Sequence, residues 1–149
     1  MHVPLRTRYG LRALVRIAAA PAGEALPLSQ IAAEEGIPAA FLERILRRLR
    51  GAGLVSARRG ARGGYRLARP AGEISVADVV TALEGRRSLV SCLPDAGACR
   101  RSARCRTRVA WQRLDEAVAR ALDGVTVADL VAGPAAEAAG PATGAGDGG

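Results

Sequence analysis

Apolar positions along the chain recur mainly at helical spacing. Residues 5–20 carry Leu11, Leu14, Val15 and Ala18 on one stripe, with Arg12 and Arg16 off it, and Pro21 and Gly23 stop the run. Ser29 to Glu35 reads as a short helix capped near Leu28 or Ser29 and ended by Gly36. Pro38 then opens a helix to about Ala52, because proline at the first helical position loses no needed donor. Phe41, Leu42, Ile45, Leu46 and Leu49 form its apolar stripe, opposite Glu43, Arg44, Arg47, Arg48 and Arg50, and Gly53 closes it. The period then changes. Residues 54–59 and 65–68 are two short strands around the glycine-rich turn 60–64, which predicts a hairpin. Ser75 caps a helix through Leu83 that Gly85 ends. Residues 86–100, with Pro94, Gly97 and two cysteines, read as a loop. A long helix is expected from about Arg101 to Leu122, its seam formed by Trp111, Leu114, Val118 and Ala121 or Leu122, and a last helical piece over 125–131. The default role of Trp111 on that seam is packing against a partner helix.

A short helix, a Gly-Ile-Pro turn, an amphipathic helix and a hairpin make a helix-turn-helix with a wing, whose second helix enters a major groove. The fold expected is mainly α with a small β-hairpin wing: a winged helix-turn-helix domain plus a long helix. The division expected is 1–85 for DNA binding, 86–105 for a cysteine loop, 106–132 for the long helix and short terminal helix, and 133–149 for a disordered tail poor in groups that could pack.

Charge sharpens this picture. The 149-residue chain has a formal net charge of +8, and all 22 of its basic residues are arginine. From Arg44 to Arg69 there are nine arginines and no acid, Glu43 standing just before them. Such a stretch suits a polyanion, because phosphate contacts release condensed counterions. Arg59 and Arg62 sit where a wing could bring them to a minor groove or a guanine edge. Glu43 has two readings: a carboxylate accepting from a cytosine amino group, or a helical i,i+4 pair with Arg47. The site residues expected to meet DNA are Glu43, Arg44, Arg47, Arg59 and Arg62.

Cys92, Cys99 and Cys105, the only cysteines, fall within fourteen residues. Thiolates are the soft ligands of zinc and of iron–sulfur clusters, and the arginines at 100, 101, 104, 106 and 108 would balance an anionic thiolate centre. The spacing leaves zinc, a cluster and a plain thiol switch open. An odd cysteine count argues against a secreted disulfide framework, no run is long and apolar enough for a membrane span, and the chain is expected to be cytoplasmic. A redox enzyme or electron carrier is disfavoured: there is no paired nucleophile and base and no phosphate loop.

Together these features resemble the Rrf-two family of winged helix-turn-helix regulators, with its IscR-like and NsrR-like iron–sulfur members. The resemblance runs from Arg8-Tyr9 through Leu28–Gly36, Phe41-Leu42-Glu43, Gly53-Leu54-Val55-Ser56, Arg59-Gly60 and Gly63-Gly64-Tyr65. It continues over Val76–Leu83, the three cysteines and Thr126–Leu130, so it covers about residues 5–132. It implies that Cys92, Cys99 and Cys105 bind a [2Fe-2S] or [4Fe-4S] cluster, and that Glu43 and Arg59 contact DNA. It also implies that 106–132 holds a dimerisation helix and a short terminal helix, and that a homodimer, paired through residues 101–122, sits on an inverted-repeat operator of double-stranded DNA. IscR-like members carry a histidine three residues after the last cysteine, where this chain has Arg108. NsrR-like members can offer an aspartate where this chain has Arg8. His2 from a partner subunit, Asp95, Glu84 or a solvent molecule remain as alternatives for a fourth ligand. The function implied is a repressor or dual regulator whose operator affinity responds to iron, oxidants or nitric oxide.

Overall fold

The computed structural model describes residues 2–85 and 88–134. The order of elements is α1 (Leu5–Ala18), α2 (Leu28–Glu35), α3 (Ala39–Gly51), β1 (Val55–Arg58), β2 (Gly64–Leu67), α4 (Val76–Glu84), α5 (Arg108–Asp123) and α6 (Val127–Ala132), with 3₁₀ turns at Ala71–Glu73, Ala96–Ala98 and Ser102–Arg104. The tail expected from residue 133 lies, from residue 135 on, outside the described residues.

One core holds the winged-helix part together. Leu14 and Ile17 of α1, Ile31 of α2, Leu42, Ile45, Leu46 and Leu49 of α3, Leu54 and Val55 at the wing, Ile74, and Val79 and Leu83 of α4 all bury against one another. Gly10 lets α4 approach α1: a Cβ there would overlap Leu83 Cδ1. The helix-turn-helix corner follows from Gly36, which sits in the left-handed region at φ 62° and turns the chain between α2 and α3.

The wing is an antiparallel pair, Val55 opposite Leu67 through Arg58 opposite Gly64. A further bridge adds Leu26 as a third edge, Leu26 N to Tyr65 O at 2.9 Å and Tyr65 N to Leu26 O at 2.8 Å. α4 and α6 each begin with a capping box. Ser75 receives Asp78 N while Asp78 returns to Ser75 N, and Thr126 and Asp129 repeat the arrangement. The two N-termini lie side by side, Val76 N donating to Val125 O and Val127 N to Ile74 O, both at 2.8 Å. The chain therefore returns after α5 to bury Val127 in the core.

Three boundaries differ from the sequence expectation. Pro27 and Pro38 occupy the N-cap positions, so Ser29 lies inside α2 and Ala39 starts α3. Most notably, α5 begins at Arg108 and not near Arg101. Residues 102–104 form a 3₁₀ turn, and Cys105 stays in the irregular segment before the helix.

Candidate nucleic-acid interface and cysteine loop

α3 divides cleanly into a buried and a solvent face. Leu42, Ile45, Leu46 and Leu49 point into the core, and Glu43, Arg44, Arg47, Arg48 and Arg50 lie exposed. In the free chain the outward side chains steady one another. Arg47 Nη2 meets Glu43 Oε1 at 3.0 Å. The Arg44 guanidinium lies 5.5 Å from the Phe41 ring, which in turn packs edge-on against Tyr9 at 5.8 Å. Both readings of Glu43 therefore keep their residues in reach: the i,i+4 pair exists, and at two exposed side chains it is weak enough to be exchanged for a base edge. Arg48 differs, since its Nη1 donates to the Leu83 carbonyl at 2.8 Å.

At the wing, Arg59 and Arg62 are exposed in the turn between the strands, and neither forms an ion pair among the described residues. Gly60 at φ 111° and the Gly63 N to Gly60 O bond of 2.8 Å close that turn. Arg66 and Arg69 are engaged locally, by Ser56 at 3.3 Å and by Asp78 at 3.0 Å. Sequence reasoning could not separate these arginines; among the described residues Arg58, Arg59 and Arg62 form no ion pair, while Arg66 and Arg69 are engaged.

The cysteine loop is built from two 3₁₀ turns. Asp95 Oδ1 accepts from Gly97 N at 2.9 Å and starts the first, and Cys99 separates it from the second. None of the three cysteines is in a disulfide, and all are partly buried. Arg108, the first residue of α5, holds the loop together: its Nη1 donates to Cys92 O at 2.9 Å and to Ser102 Oγ at 2.6 Å. Cys105 Sγ lies 3.2 Å from Thr107 Oγ1. That contact, then backbone donors and the Arg108 charge, holds the Cys105 thiol below the ordinary range for a cysteine. A cavity of about 590 Å³ near the α1–α2 connection is remote from this chemistry, whereas Arg100, Arg101, Arg104, Arg106 and Cys105 line one beside the loop.

Three thiols on one loop, ringed by arginine, fit the donor chemistry of a thiolate-bound cluster. Among the described residues, however, no three ligand-type side chains converge on one centre. The expected alternatives for a fourth ligand are differently placed. Glu84 accepts from Arg6 and Thr7, Asp95 is used in the loop's own turn, and His2 is exposed near the N-terminus.

Residues 4–133 match the sequence profile of the Rrf2 family, described as iron-dependent transcriptional regulators. The chain belongs to the Rrf2 family. Protein rrf2 of Nitratidesulfovibrio vulgaris is 40% identical over 131 residues, 88% of this chain and 87% of that one. The HTH-type transcriptional regulator IscR of Serratia proteamaculans is 34% identical over 131 residues, 88% of this chain and 79% of its own. Among solved structures, CymR, the global cysteine regulator of B. subtilis, superposes with a TM-score of 0.74 at 31% identity, covering 89% of this chain and 97% of that one. IscR of T. potens follows at 0.72 and 30%, covering 89% and 87%. This Rrf2 protein is thus a DNA-binding transcriptional regulator and not an enzyme. No helix among its described residues is long and apolar enough to cross a membrane.

Proposed function

We propose that this Rrf2 protein is a homodimeric repressor on an inverted-repeat operator, with residues 1–85 binding DNA, 86–105 sensing and 106–132 pairing the subunits. Glu43, Arg44 and Arg47 of α3 read the major groove, and Arg59 and Arg62 of the wing hold the flanking backbone or minor groove. Cys92, Cys99 and Cys105 would hold an iron–sulfur cluster, which when bound supplies a redox- and ligand-sensitive centre in the loop between α4 and α5. The chain's own contribution is mechanical. The loop joins α4, which packs on α1 and α3, to α5, so a change in loop order biases the placement of the recognition helix.

The observation that carries this reading is the gathering of every cysteine of the chain, all free of disulfides and partly buried, in the one segment that connects α4 to α5. Anaerobic purification followed by a visible spectrum and iron and sulfide content, on wild type and Cys92→Ala, tests it. The expected outcome is a coloured wild type that loses both colour and iron in the variant; the iron content gives the cluster type. A wild type that takes up no iron after reconstitution overturns the cluster.

A second reading has its own support, the lack of convergence of the thiols and the presence of Arg108 where a ligand would stand. In it the loop is a thiol switch or a zinc site that controls DNA binding without colour. A structural relative, CymR of Staphylococcus aureus, has been solved in an oxidised form, at a TM-score of 0.69 and 33% identity over 88% of this chain and 96% of that one.

A further inference from the structure

Arg48 stands exposed on α3 beside Arg44 and Arg47, yet its guanidinium is engaged by the protein itself. Its Nη1 donates at 2.8 Å to the carbonyl of Leu83, in the last turn of α4. The last carbonyls of a helix lack intrahelical donors, and a cation is favourable at that negative end. The same turn is gripped from α1. The Glu84 carboxylate, 5% exposed, accepts from Arg6 Nε and from Thr7 Oγ1, each at 2.7 Å, and from Arg6 Nη2. Leu83 is fully buried and, like Ile45 of α3, packs closely on Gly10 of α1. Arg6, Arg48, Ile45 and Leu83 line one small cavity at this junction. Eight residues after Glu84 the chain reaches Cys92.

We propose that Arg48 is a positioning residue that ties the recognition helix to the end of α4, so that the state of the cysteine loop reaches α3 through it, and that it is not a phosphate contact. The first half rests on the reading above that the loop is a sensor. The second half stands by itself. A phosphate contact contributes counterion release, so its loss lowers the slope of log affinity against log salt by about one. A tie to a helix end contributes none.

The test uses the full-length chain and the duplex that wild-type protein selects from a random pool. Binding is measured by fluorescence anisotropy across a salt series for wild type, Arg48→Gln, Arg48→Lys and Arg62→Gln, each with and without Cys92→Ala. In parallel, hydrogen exchange is followed across α3 and the last turn of α4. Arg62→Gln, at a wing position assigned to the backbone, is expected to lower the salt slope by about one and to keep the affinity ratio between loop-intact and Cys92→Ala proteins. Arg48→Gln is expected to leave the slope unchanged and to bring that ratio to one. Exchange in α3 should then no longer respond to Cys92→Ala, while Arg48→Lys, which keeps a charged donor, restores part of the response. A slope that falls by about one in Arg48→Gln overturns the proposal. So does exchange in α3 that ignores Cys92→Ala in wild type, or that responds equally without Arg48. A wild-type affinity ratio of one, with exchange in α3 still answering the loop through Arg48, sinks the sensor reading and leaves the tie standing.

Discussion

Glu43 and Arg47 face each other one turn apart on α3, at 3.0 Å and both well exposed. A helical pair of this kind stabilises by about 0.3–0.5 kcal/mol, and a discriminating base contact is worth about 1–3 kcal/mol, so a carboxylate–cytosine contact as proposed would displace the pair on DNA. Glu43→Gln should therefore leave thermal stability nearly unchanged while flattening base preference at one operator position, which binding to a set of single-base-substituted duplexes would reveal. A uniform loss across the set would leave Glu43 as a helix-steadying residue only. At the other site, the Thr107 hydroxyl does most to lower the Cys105 thiol, ahead of the backbone donors there. A depressed thiol keeps its thiolate form to lower pH, and the thiolate is the reactive species. In iron-free protein the pH profile of Cys105 alkylation should consequently lie on the acid side of an ordinary cysteine. Thr107→Val should move it toward higher pH; an unmoved profile would mean that the contact with Thr107 does not tune this thiol.

Among the elements, the wing depends on a close approach. Gly64 has φ 150°, and a Cβ on it would overlap the Leu26 carbonyl that receives Tyr65 N. Gly64→Ala should destabilise by about 1–3 kcal/mol, because it imposes backbone strain and breaks the three-edged contact. Thermal unfolding would show it, together with weakened DNA binding from a misplaced Arg59 and Arg62. An alanine variant with wild-type melting would show that the wing closes without Leu26. This approach was invisible in the sequence, which marks the turn glycines but not what crosses behind them. The amphipathic helices were legible: the stripe Leu42, Ile45, Leu46, Leu49 is the buried face of α3, and Ser75 with Asp78 marked the start of α4. The start of α5 was not. Arg101–Thr107 contains no proline or glycine to break a helix, so local propensity continued it upstream, whereas the chain bends through Ser102–Arg104 and is held by Arg108 on Cys92 O and Ser102 Oγ. The donor set was legible as three thiols, but the role of Arg108 as their clamp depends on a contact across sixteen residues that no local pattern encodes. The tie from Arg48 to Leu83 is hidden for the same reason, being one arginine among several on a uniformly basic face.

For the whole molecule, α5 is the element that a single chain leaves unfinished. Val118 and Leu122 line a cavity against α4, and Leu89 N is held by Asp115 at 2.8 Å, yet no residue of the helix is buried. Trp111 and Leu114, three residues apart on one face of its N-terminal half, are both exposed, and Val109 is exposed on another side of the helix. A sixteen-residue helix in contact on one side only is marginal in water, since most helical stability comes from burying an apolar face. A second copy of the chain, applying the same stripe across a two-fold axis, would cover these residues and set the distance between two recognition helices. Trp111→Glu combined with Leu114→Glu places like charges where that stripe would meet itself. Sedimentation should show wild type as a dimer and this variant as a monomer with an intact, cooperatively melting winged-helix core, because the core residues of α1 to α4 do not touch the substitutions. Affinity for an inverted-repeat duplex should fall by about 10²–10⁴-fold as the second half-site ceases to be intramolecular, while affinity for a single half-site changes little. A monomeric wild type at concentrations that saturate the operator would overturn the dimer, and with it the proposal that residues 106–132 pair the subunits.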